Sequence, residues 1–151
     1  MKGIGIFVLL FLVGVGVAMF VYTRPPDRDL AAEERAWVDR FSAWRADYAG
    51  RIERAEVEIG VSRGERLSAE LVEPLRTCSP SLEEVGVPPT LLAGVVDDAA
   101  RACGEAAYAL SVHARFGRPA LATTKQHLHR AGTLLTAAEI HLRRQLDASG
   151  S

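Results

Sequence analysis

Lysine is almost missing from this chain: Lys2 and Lys125 are the only two among 18 basic residues. The rest of the positive charge is arginine, and with abundant Ala, Gly and Val this is the usage of GC-rich, typically bacterial, coding DNA. Nor is there an excess of either sign. The 18 basic residues meet 19 acidic ones, for a formal net charge of −1. That balance lacks the electrostatic footprint of a nucleic-acid binder, because phosphate neutralisation needs clustered cations. Cysteine is scarce as well, with only Cys78 and Cys103. Two thiols are too few for a four-ligand structural zinc site, and their 24-residue gap is wrong for a redox Cys-x-x-Cys pair. Also missing are a phosphate loop, a dinucleotide fingerprint, a His-Glu-x-x-His helix and a Gly-x-Ser-x-Gly elbow. No cofactor is indicated, and the expectation is a protein that is not an enzyme.

One long apolar run is present. Ile4 to Tyr22 carries no charge over 19 residues, which as a helix spans about 28 Å, close to the roughly 30 Å hydrocarbon core. Lys2 precedes it, and Arg24-Pro25-Pro26-Asp27 ends it, since proline cannot continue a helix and charge avoids lipid. We read residues 1–23 as a transmembrane signal-anchor, so residues 4–22 make the membrane the first expected partner. The rival is a signal peptide cut after Gly16-Val17-Ala18, but Met19 to Tyr22 prolong the apolar run beyond that site. Gly14 and Ala18 form a small-xxx-small pair that could pack two such helices. Orientation draws on opposed signals. Lys2 and the amino terminus favour a tail inside, whereas Arg24, Arg28, Arg35 and Arg40 beyond the span favour a domain inside. The two cysteines tip the reading to a domain outside the membrane, where a Cys78–Cys103 disulfide would form. Closing a loop of about 26 residues, it would stabilise by roughly 3–4 kcal/mol in the chain-entropy model.

The rest reads as all-α: a linker at 24–28, a helical bundle over 29–147 and a disordered tail at 148–151. The first long helix is expected from Leu30 to Ile59, capped by Asp29 and stopped by Gly60. Trp37, Phe41, Trp44, Tyr48, Ile52, Ala55 and Ile59 recur at steps of three and four and so share one face. Asp47 and Arg51 form an i,i+4 pair on the polar side. Residues 61–88 read as an irregular connector with short helical pieces: Ser68 could cap one that Pro74 interrupts, and Ser81–Glu84 is a capping box with room for barely one turn. A third element runs from Pro88 to Phe116, with Leu92, Val95, Val96, Ala99, Cys103, Ala106, Leu110 and His113 in its stripe. Gly117 ends it, and Pro119 opens a last helix reaching about Leu146. In that helix Leu121, Leu128, Leu135 and Leu142 recur every seven residues, with Thr124, Ala131 and Ala138 between. The short turn makes the last two helices antiparallel neighbours, with Gly104 set opposite Gly132 for close approach. The expected architecture is an antiparallel bundle of three long helices plus a short irregular helical connector.

Candidate chemistry is thin. His127 and His129 diverge on a helix, and His127 and His141 share a face about 21 Å apart. Only His113 with one histidine of the last helix is left as a weak metal option. Glu33-Glu34, Glu83-Glu84 and Asp97-Asp98 are adjacent pairs that read as solvated faces or dipole partners, and Ser111 is not oriented by His113. The richest patch is Trp37, Phe41, Trp44 and Tyr48. Aromatics at this spacing are core far more often than not. The alternative is an exposed face for an unidentified protein partner, flanked by Arg40 and Arg45. A homo-oligomer is compatible with the sequence, though no motif specifies one. The functional expectation is a tethered extracytoplasmic interaction or scaffold module, with a ligand-sensing bundle or a cytoplasmic adaptor as alternatives.

Overall fold

The computed structural model describes residues 28–62 and 67–149. The expected anchor, its small-xxx-small pair, residues 24–27 of the linker and the last two residues of the tail lie outside these. Among the described residues there are five α-helices, two 3-10 turns and no strand. No helix there is long and apolar enough to cross a membrane. The compact unit is Glu34–Ser151; Arg28–Glu33 belong to a separate unit, Met1–Glu33, and are described as helical backbone.

The first helix, α1, spans Arg28–Val61. It starts one residue before Asp29, which therefore lies in the first turn and is not the cap. It also runs through Gly60, and the Ser62 N–H still donates to the Glu58 carbonyl at 2.8 Å. An added Cβ at Gly60 would stand 3.3 Å from Nζ at the flexible end of Lys125.

The connector is more ordered than its prolines suggest. Helix α2 spans Ala69–Arg76 with Pro74 inside it, and α3 spans Cys78–Glu84. Proline forfeits one N–H but does not break α2, because the segment is held elsewhere. Leu71, Leu75, Cys78 and Leu82 are buried. The break falls at Thr77, whose N–H donates to the Glu73 carbonyl and whose hydroxyl donates to the Pro74 carbonyl at 3.0 Å. Pro80 sits in the first turn of α3, where no N–H is needed. Ser68 holds the N-cap position of α2, its carbonyl accepting from the Leu71 and Val72 N–H groups, but its side chain makes no capping bond, and the Ser81 capping box does not form. Ser68 turns its hydroxyl and its N–H to the Glu58 carboxylate, and Ser81 lies within α3.

A 3-10 turn at Thr90–Leu92 leads into α4, Ala93–Phe116. Gly117, with φ +58°, and a second 3-10 turn at Arg118–Ala120 reverse the chain into α5, Leu121–Ser149. That helix outruns its expected end at Leu146, so residues 148–149 of the expected disordered tail are helical.

Contacts give the topology. Arg45 meets Glu139, Glu56 meets His129, and Gly60 lies by Lys125, so α1 and α5 are antiparallel. Asp98 meets His141 and Glu105 meets His127, so α4 and α5 are antiparallel too. Glu58 meets Ser68 at one end while Trp37 meets Gly86 at the other, so α2 and α3 together run back along α1. The fold is an up-down-up-down bundle whose second member is made of two short helices. Thr124, Leu128, Ala131, Leu135, Ala138 and Leu142 of α5 are buried, with Leu121 partly buried against them. The buried face of α4 also takes in Ala102, Ala109 and Val112, because α4 packs against α3 as well as α5. The expected glycine pairing does not occur. A Cβ added at Gly132 would stand 3.8 Å from Ile52 of α1, and one added at Gly104 would have nothing within 4 Å.

Candidate functional site

The aromatic stripe lies inside the bundle. Trp37, Phe41, Trp44 and Tyr48 are all buried, with successive ring centroids 5.1, 5.8 and 4.9 Å apart. They therefore offer no surface to a partner, which corrects the docking-face alternative. Burying this much ring area is what the hydrophobic effect favours. The indole nitrogens also need acceptors, and the neighbouring α3 and the turn after it supply them. Trp37 Nε1 donates to the Gly86 carbonyl at 3.0 Å, and Trp44 Nε1 donates to Ser81 Oγ at 3.1 Å.

The two flanking arginines are likewise committed internally. Arg40 Nε donates to the Val85 carbonyl at 3.1 Å, placing a cation at the negative end of α3. Arg45 reaches Glu139 of α5 at 2.9 Å, and Glu139 also holds Arg143. Asp47 and Arg51 pair at 2.8 Å. Cys78 and Cys103 form a disulfide that fastens α3 to α4, and both are buried.

Three of the four histidines join α5 to its neighbours. His127 Nδ1 meets Glu105, His141 Nδ1 stands 3.0 Å from Asp98, and His129 Nδ1 lies 3.7 Å from Glu56. The divergence of His127 and His129 thus sends them to different helices. Asp98, expected in solvent, is only 15% exposed and also faces Arg101 at 3.5 Å. Burial by α5 moves it off the polar face, while Asp97 stays exposed. His113 keeps a buried Nδ1 with no partner among the described residues. No group of three His, Cys, Asp or Glu there could hold a metal. Ser111 donates to its own helix at the Tyr108 carbonyl.

Several depressions mark the surface of the described residues, among them one of about 600 Å³ beside α2 and α3 that Tyr48, Arg51 and Pro74 help to line. Another of about 370 Å³ lies between α4 and α5, floored by Gly104 and walled by Tyr108 and His127. A larger one of about 800 Å³ lies between the end of α1 and the start of α2, lined by Val57, Val61 and Leu71 with Arg54, Glu58 and Glu70 at its rim. The larger groove continues a feature that the aromatic spacing concealed. On the side of α1 opposite the aromatic stripe, Ala36, Ala43, Ala46 and Val57 are exposed and Gly50 is half-buried. Val57 and Val61 are 61% and 80% exposed. The signal was present, since Ala36, Ala43, Gly50 and Val57 recur every seven residues. Small side chains carry little hydrophobic weight, and the aromatic phase dominates any reading of this helix. No family model matches the chain, and neither a curated protein nor a solved structure is significantly similar to it.

Proposed function

We propose that this protein is a membrane-tethered helical module of the cell envelope that acts by protein contact and not by catalysis. The observation that carries the reading is the outer face of α1. A helix that buries its aromatic side in its own bundle leaves a second, small-residue apolar side in solvent, over Ala36, Ala43, Gly50, Val57 and Val61. Isolated exposed apolar residues are ordinary, but a row along one helix is what a partner helix packs against. The Cys78–Cys103 bridge supports an oxidising location, and the apolar run at 4–22 supports the tether.

The location is tested in intact cells. Glu70 is exposed, and Glu70→Cys adds a thiol for a membrane-impermeant maleimide. Labelling without permeabilisation is expected. Cys78 and Cys103 are expected to alkylate only after unfolding and reduction. Labelling only after permeabilisation, with both native thiols free, would instead establish the cytoplasmic adaptor.

A further inference from the structure

We propose that the outer face of α1 is a self-association surface, on which α1 of a second copy of this chain packs antiparallel. The proposal rests on the contact-module reading above and names its partner. The face is nearly flat in side-chain size. Ala36, Ala43, Ala46 and Gly50 let a second helix approach to the close end of the usual 8–10 Å interaxial range. A Cβ at Gly50 would meet nothing, so the space over it is open. From Ala36 to Val57 the row runs about 32 Å along the helix.

Charge selects the occupant and its direction. Asp39, Glu53 and Arg54 interrupt or edge the apolar row, all three exposed. Among the described residues neither acid has an ion-pair partner, and Arg54 donates only to the Gly50 carbonyl at 3.2 Å. Within one chain Asp39 and Arg54 are about 22 Å apart along the helix and cannot meet. Their neighbours on the sides of α1 are satisfied, as Arg51–Asp47 and Arg45–Glu139 show. A parallel second copy would set Asp39 against Asp39 and Arg54 against Arg54 within the contact, which opposes association. The antiparallel register that sets Ala43 against Gly50 of the second copy also sets Ala36 against Val57 and Asp39 against Arg54. Each of these pairs occurs twice, as two-fold symmetry requires. The groove beside Val57 and Val61 then receives the beginning of the second copy's α1.

The register makes the test specific. Full-length chain is oxidised in its own membranes, where the native cysteines are buried and already paired. Ala46→Cys lies next to the two-fold axis and is expected to give a disulfide-linked dimer alone. The double variant Ala36→Cys with Val57→Cys is expected to give one too, while neither single change does. Adding Ala43→Arg to Ala46→Cys is expected to cut the linked fraction about tenfold with an unchanged melting temperature. Dimers from Ala36→Cys alone and from Val57→Cys alone mean parallel packing and overturn the proposal. So does the absence of dimer from every variant. In that case a bis-maleimide on Ala46→Cys separates the two readings. Capture of a different protein leaves the contact module standing, and no product of either kind removes both.

Discussion

An indole at position 37 does something that a phenyl ring could not. Trp37 is 2% exposed, and its nitrogen carries the hydrogen bond to the Gly86 carbonyl just past the end of α3. Trp37→Phe keeps most of the packing but strands that carbonyl. It is expected to cost about 1–2 kcal/mol, seen as a lower urea midpoint with an unchanged slope. Gly86 is itself constrained, with φ +97°. A side chain is strained in that conformation, so Gly86→Ala is expected to destabilise by about 1 kcal/mol or more in the same assay. Arg40 shares this junction but sits nearer the surface, and its bond to the Val85 carbonyl is exposed to salt.

Among the elements, α5 shows how well a regular helix announces itself. Leu128, Leu135 and Leu142 fall on the buried face as their seven-residue spacing requires. Leu135 is wholly buried, so Leu135→Ala is expected to cost about 3–5 kcal/mol, read by thermal or denaturant unfolding. The aromatic face of α1 was legible for the same reason, since large side chains at helical spacing leave few alternatives. Legibility fails where a tertiary contact outweighs a local signal. Pro74 reads as a helix stop, yet Leu75 beside it is buried in the core, while Gly60 falls one residue short of the end of α1. Ser68 and Ser81 read as caps, and their hydroxyls went to Glu58 and Trp44 on another helix. The outer face of α1 is hard to read from sequence because alanine and glycine at heptad spacing are quiet beside two tryptophans. Asp98 reads as solvent-facing because no local pattern foretells that a histidine 43 positions onward will pair with it.

At the scale of the whole molecule, the disulfide and the cross-helix pairs divide the work unequally. Exposed or half-exposed ion pairs contribute about 0–1 kcal/mol each and fade with salt. Arg45→Ala is therefore expected to lower stability by no more than about 1 kcal/mol, and less in high salt. The Cys78–Cys103 bridge ties the two-piece second member to α4. Replacing both cysteines with alanine is expected to cost about 3–4 kcal/mol. The loss is expected to be uneven in hydrogen exchange: amides of α2 and α3 lose protection first, and those of α4 and α5 keep most of theirs.

That same bridge changes what a broken backbone means for this protein. Val87 is 91% exposed, and it lies in the non-helical stretch between α3 and the 3-10 turn before α4. Exposed stretches of this kind are where proteases nick a folded domain. A cut there falls inside the ring that sulfur closes between positions 78 and 103. The two fragments stay covalently joined, with Trp37 and Trp44 still packed on one side and the α4–α5 pair on the other. A nicked molecule would migrate as a single species until it is reduced. Cleavage at this exposed stretch would leave the bundle tolerant of damage that would divide an unbridged chain.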